Sequence, residues 1–528
     1  MATTATVMVR KHNKKKLTIF IALALASHAA LAGEWTFNPS LGLTETYTNN
    51  VELTPDNHQS SVVSQLIAGV NGEFTSREMY LAFSGTETYA AYSHNSDLND
   101  DFQTANIEGA ISLWPSGPKF IASSSLTNVS QNTANNSLAD LVSGDTIQRS
   151  SHKAGLQYEF ANSNYSFDSG VIYNLTETED SIGESKGYTA NISTKNGNAA
   201  RHVFWQLRGE YSDRENKTAS GKKYSLEAGV GVITSLKLNP FLRYYDEDIS
   251  GNVIGANQAT TRSWGPAIRW LASEHLYLDV SYNYVDDKET SDDYIAANIN
   301  WQPSQRTSLE AGYSQRFFGD SYNLDLQHKT KRLTNKISYD EKIEVFDRDS
   351  YEQVDVGIFW CPVDITITNI TQCFAQSEQP EGEYQLSTFF TLVPVENNEF
   401  SLNKRLLWNS KLQLSRTSFT FNSSATRRES IASKRIDDTL SASFTIDRKI
   451  SGRSNLTFLA KYDHRVFNKD NPDNGQEDHY RTFSATYTKN LASSLSTHFT
   501  IQHVNRDSNI DRYSYDEVRA YINITKDF

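Results

Sequence analysis

The last twelve residues, EVRAYINITKDF (517–528), decide the fold. Taken in steps of two, one phase holds Val518, Ala520, Ile522, Ile524 and Lys526, and the other holds Arg519, Tyr521, Asn523, Thr525 and Asp527. A period of two with one mostly apolar and one polar face is a β-strand between unlike surroundings. The edge of a soluble sheet and a wall between lipid and water both fit that pattern, and the rest of the chain must choose between them.

The start of the chain points to export. Arg10, Lys11, Lys14, Lys15 and Lys16 precede the apolar LTIFIALALA (17–26), and Ala30 and Ala32 supply the small residues of a cleavage site before Gly33. This is the layout of a secretory signal peptide. The apolar run falls short of the roughly 20 residues that span a bilayer as a helix. The expected division is therefore a cleaved segment 1–32 and a single exported domain 33–528. Removing the five basic residues of the leader takes the formal charge from −13 to −18, and an acidic exported chain argues against nucleic acid as a partner.

No later segment approaches a spanning helix, and only 38% of residues are hydrophobic. Embedding in a membrane must then use alternating strands, which need only half their residues apolar. In that setting the final strand, with Ile522, Ile524 and the terminal Phe528, resembles the closing signal of bacterial outer-membrane barrels. Lys526 departs from it, since that pattern usually has a hydrophobic residue there. The resemblance implies outer-membrane lipid as surroundings and the barrel-assembly machinery as a partner.

One unit recurs along the chain: a strand of about 10 to 15 residues, a short turn, a second strand and a longer polar loop. Val62, Leu66, Ala68, Val70 and Phe74 share a phase, and beyond Ser76 so do Met79, Leu81, Phe83 and Tyr89. Trp114, Trp270 and Trp301 each lie close to a short turn, as an aromatic belt at one membrane face requires. Twenty-five segments fit the pattern. Merging the poorly alternating LNKRLLWNS (402–410) with KLQLSRTSFTFNS (411–423) restores the short–long order and gives 24. The expected fold is all-β, a transmembrane antiparallel up-and-down β-barrel of about 24 strands, within 20 to 26.

The phase opposite the lipid-facing one carries Lys237, Arg243, Arg269, Glu310, Arg316, Asp325, Lys329, Lys336, Asp340, Lys461, Asp463, Arg465 and Arg519. These are the candidate lumen-lining residues, either guiding a polar polymer or pairing with one another across neighbouring strands to solvate the interior. The longest break, about 347–382, contains Cys361 and Cys373, the only cysteines, which suit one disulfide in an oxidising compartment. That loop either folds inward as a constriction or stands outside as a stapled cap. Two cysteines without a nearby His make no metal site. NKDNPDNGQED (468–478) offers Asp470, Asp473, Glu477 and Asp478 as oxygens but lacks calcium-loop spacing. His464, His498 and His503 identify no nucleophile and base, and no Gly-x-Ser-x-Gly elbow is present, so neither catalysis nor a cofactor is expected. A plug-bearing, energy-coupled transporter is disfavoured because strand-like sequence begins by Trp35.

FNPSLGLTETYTNNVELTP (37–55) and SSVVSQLIAGVNGEF (60–74) add a narrower likeness. The Pro39-Ser40 strand running into the Tyr47-Thr48-Asn49-Asn50 loop resembles the opening of outer-membrane β-barrel proteins associated with PEP-CTERM and exosortase systems. Asn49 stands at the usual acidic position. The likeness extends more weakly through SLWPSGPKFIASSSLTNVSQ (112–131). It implies a porin-like role in exopolysaccharide secretion or envelope assembly, with a polysaccharide substrate and a periplasmic export partner, and no family active site. A barrel anchoring surface loops, and an outer-membrane hydrolase, are the alternatives.

Overall fold

The computed structural model describes residues 33–528 except 135, 137–139, 144–145, 254–259, 287–291, 347–350, 364–372, 378–379, 381, 396–397 and 470–474. The signal-peptide reading of 1–32 and the calcium candidates Asp470 and Asp473 lie outside the described residues. Twenty-four strands form one continuous antiparallel sheet in which each strand pairs with its neighbours in sequence. The sheet closes on itself. Ser40–Thr48 of the first strand (Glu34–Thr48) pairs with Arg519–Asp527 of the last (Tyr515–Asp527). Closure leaves no unpaired edge, the condition a sheet must meet in hydrocarbon.

The C-terminal residues hold the seam. The Phe528 backbone N–H donates to Pro39 O at 2.9 Å, and the Phe528 ring stays exposed. Ile522 and Ile524 face outward beside it. Lys526 is tolerated on this apolar face because its ammonium bends to the Ser494 hydroxyl at the short-turn end and lies 5.7 Å from the Phe528 ring centroid.

Alternation sorts the side chains. Leu41, Leu43, Leu66, Val171, Val230, Leu242, Ile268, Phe444 and Ile501 are all exposed on the outer face. A continuous apolar band of this extent belongs against lipid. Trp114, Trp270 and Trp301 border it at the short-turn end, and Tyr47, Tyr89, Tyr188, Tyr211 and Tyr322 at the long-loop end. The first strand begins and the last ends on the side of the short turns, the periplasmic side by the rule for such barrels.

Two sequence expectations need correction. Residues 402–410 and 411–423 do not form one strand: Ser401–Gln413 and Thr417–Ser430 are separate partners joined through 414–416. The alternation is blurred because Lys404 shares the outward phase of Leu406 and Trp408 and is held by Glu429 at 3.0 Å. The count of 24 stands all the same. The strand-like Tyr384–Pro394 pairs with Tyr351–Pro362 in a separate three-stranded sheet, so the chain leaves the wall after Glu344 and returns at Ser401.

The wall is not circular. On a round 24-strand barrel, strands four places apart stand about 24 Å from each other, too far for an arginine and a glutamate to bridge. Arg316, at the end of Thr307–Arg316, nonetheless binds both carboxylate oxygens of Glu247 in Leu238–Gly251 from inside. The intervening wall therefore curls tightly. Gly265 and Pro266 interrupt the ladder between Thr260–Ser273 and Leu276–Val285 without shifting its register. A Cβ at Gly265 would lie 1.8 Å from Tyr282 O, so only glycine permits this approach.

Candidate functional site

The interior is polar, and its charges are organised in pairs. Arg269 forms a fork to Asp279 (2.7 and 2.6 Å), binds Gln206 at 3.0 Å, and lies 4.7 Å from the Phe204 ring and 4.8 Å from Tyr277. Arg243 donates to Glu227 at 2.8 Å and to Asn283 at 3.1 Å. Lys336 lies 3.6 Å from Asp325, Lys342 3.1 Å from Asp340, and Lys461 2.7 Å from Asp463. Glu310 is registered opposite Asp325, Lys329 is exposed at the short-turn end of its strand, and Arg465 lies 6.0 Å from the Tyr480 ring. Lys237 departs from expectation: it sits exposed in a short turn at φ 60°, on the rim and off the wall. Most candidates thus solvate the lumen as ion pairs between strands or along one strand.

The feature missed from sequence is a loop folded inside. Residues 131–145 connect Lys119–Ser130 to Thr146–Ala161, yet Ala134 and Asp140 within them reach the inner face of the last three strands, on the far side of the seam. Ala134 O accepts from Gln476 Nε2 and from Arg506 Nη2, each at 2.7 Å. Asp140 accepts from Arg519 at 2.8 Å, and Leu141 O from the Tyr92 hydroxyl at 2.6 Å. Val142 packs with Val51, Val63, Ala90, Tyr92 and Phe102. Arg519 is braced in turn by Glu517 (2.5 Å), which also accepts from Thr48 (2.5 Å). Arg506 is braced by Asp478 at 2.9 Å and lies 5.2 Å from Tyr480 and 5.0 Å from Tyr513.

Of these anchors, sequence reasoning selected Arg519 alone. The sequence offers Asp478 with Glu477 as calcium oxygens, but neighbouring strand residues face opposite ways: Asp478 is buried inside and Glu477 lies outside, so the two do not converge. The available signal in NTANNSLADLVS (132–143) is small and apolar residues inside a polar loop.

Burial alone would raise the Asp140 carboxyl, but the Arg519 guanidinium and hydrogen bonds from Ser143 outweigh it and hold the group below its ordinary value. A depressed carboxylate stabilises the docked loop above its free pKa of about 3.9 and loses that contribution as pH falls through the docked value. The groups facing it are Arg519, Glu517 and Ser143. Channel conductance is therefore expected to stay constant from pH 7 to about 5 and to rise only below about 4. A titration of single-channel current reads this.

Cys361 and Cys373 are bonded to each other. Their sheet's hydrogen-bond registers run within itself, while Val345, Phe346 and Phe400, at the two ends of this insertion, pack with Ala219, Ile249 and Val253. Ser61 Oγ lies 2.8 Å from His94 Nδ1, and His94 Nε2 has no hydrogen-bond partner among the described residues.

A closed wall with an apolar exterior and a polar, ion-paired interior has one stable setting. The chain is an outer-membrane β-barrel. No family profile and no curated protein matches its sequence. Among solved structures it is similar to the siderophore receptor PirA from Pseudomonas aeruginosa, at 9% identity over 94% of this chain and 81% of that one, with a TM-score of 0.39. It is also similar to the ferric enterobactin receptor PfeA from Pseudomonas aeruginosa, at 11% over 94% and 82%, TM-score 0.43. A loop-deletion mutant of OmpT, an outer membrane protein of Vibrio cholerae, matches at 9% over 94% and 100%, TM-score 0.33. Likeness at this level concerns the barrel fold alone.

Proposed function

We propose that this barrel is an export channel for a polar polymer, an exopolysaccharide, in an envelope assembly system of the PEP-CTERM kind. The observation that carries the reading is the polar, ion-paired interior of a 24-strand wall, narrowed by a loop held through a few ionic and hydrogen-bonded contacts. Paired charges hydrate a lumen without fixing a free charge that would trap a polyanion. Export through a leader cleaved before Gly33, and a periplasmic partner docking at the short-turn end, belong to the same proposal.

The test is release from vesicles loaded with labelled polysaccharides of graded size and charge. The channel reading expects release of long polar chains once 131–145 is removed or displaced, with small solutes passing sooner. Retention of every solute by folded, loop-deleted protein would overturn it. That result would favour a barrel anchoring the disulfide-closed sheet, whose Ile358, Val363, Phe374 and Leu386 are exposed at the long-loop end.

A further inference from the structure

On the outer face, at the long-loop end, two adjacent strands bring two imidazoles and a carboxylate together. His464 in Ser454–Phe467 is the direct cross-strand partner of His479 in Gln476–Ala492. Glu477 lies two residues before His479 and so shares its face. A residue pair at i and i+2 with a third directly opposite puts three side chains at neighbouring positions on one side of a sheet, which is a facial tripod of metal ligands.

The side chains realise it. His464 Nε2 lies 2.8 Å and His479 Nε2 3.5 Å from the same oxygen, Glu477 Oε1. The rings are stacked, 4.5 Å apart and 2° from parallel. Donor atoms of all three residues fall within 4.8 Å of one another. Tyr462 OH sits 2.9 Å from His479 Nδ1, fixing the ring so that Nε2 is the nitrogen presented to the tripod. Nearby cations are engaged elsewhere: Lys469 contacts Asp438 at 2.7 Å and Arg481 contacts Asn505 at 3.1 Å. His464 and Glu477 also line an outer-face groove with Lys404, Arg427 and Lys469, so an ion held there is reachable from solvent.

We propose that His464, Glu477 and His479 bind a divalent transition-metal ion of the zinc class. Two imidazoles with one carboxylate select zinc, nickel or copper over calcium and magnesium, which prefer oxygen alone. Two nitrogen ligands near 2.0–2.1 Å and one oxygen near 2.0–2.2 Å are reached when the two stacked rings rotate so that their in-plane lone pairs converge beside Glu477. The protein supplies three ligands, and water takes the remaining position.

The experiment titrates zinc against a chromophoric chelator competing with folded, detergent-solubilised barrel. One equivalent is expected per chain at pH 7.5. H464A and H479A are each expected to weaken binding at least tenfold, and Y462F about tenfold as an outer-shell change. H503A is expected to leave binding unchanged, because His503 is paired with Asp516 outside the cluster. Cobalt substituted into the wild-type protein, needing no variant, is expected to give the visible bands of a four- or five-coordinate site. No stoichiometric zinc uptake by folded wild type, or uptake that survives in the folded H464A/H479A double variant, would sink the proposal.

Discussion

Replacing residues 132–143 by a short glycine–serine turn is expected to raise the single-channel conductance of the folded barrel about twofold or more. The loop lies in the lumen along the inner face of the strands on either side of the seam, and its contacts there are specific. Ala134 O is held by Gln476 and Arg506, Asp140 by Arg519, and Val142 by the apolar cluster around Val63 and Tyr92. The strands that receive it close by backbone ladders independent of the loop, including the pairing of Ser40–Thr48 with Arg519–Asp527. The barrel should therefore fold without it and keep its heat-modifiable migration on gels. D140N is expected to give a smaller increase, since it removes the charge of one anchor and leaves the Ala134 contacts. An unchanged conductance in the folded deletion variant would mean that the narrowest point lies elsewhere, the pinched wall at Arg316 and Glu247 being next in line.

The barrel was legible because its information is local. Alternation, a turn every 10 to 15 residues and the terminal aromatic residue are each read within a dozen positions, and each follows from a strand wall between water and lipid. Strand identity failed where that division of faces breaks down. Lys404 faces outward because Glu429 accompanies it, so the segment 402–410 shows no clean period. The site was less legible because its contacts are remote in sequence. Ala134 meets Arg506 across 372 residues and Asp140 meets Arg519 across 379, and nothing in NTANNSLADLVS names those partners. The histidine tripod fell between these cases. Alternation places Glu477 and His479 on one face, but His464 joins them only through the register of the hairpin.

Arg506 gives the largest expected loss of stability. Its guanidinium is 1% exposed and the Asp478 carboxylate 0%, joined at 2.9 Å among the rings of Tyr480 and Tyr513. Removing one member of a buried pair strands the other charge away from water, which costs about 3–5 kcal/mol. R506A leaves Asp478 with the Gln476 amide at 2.7 Å among the described donors, so the unfolding free energy read from urea titration in detergent is expected to fall by that amount and the midpoint with it. R427A removes a geometrically similar fork to Asp438 on the outer face, where the arginine is 45% exposed, and exposed pairs contribute only about 0–1 kcal/mol. If R506A and R427A shift the midpoint equally, burial is not what makes the inner pair matter. The double variant R506M/D478L separates charge from packing, because replacing both partners by apolar groups removes the stranded carboxylate. It is expected to recover most of the stability while still losing the Arg506 contact to Ala134 O. Conductance should then rise in R506M/D478L although its stability approaches wild type, which places the loop anchor and the stability of the wall in two separable roles of one arginine.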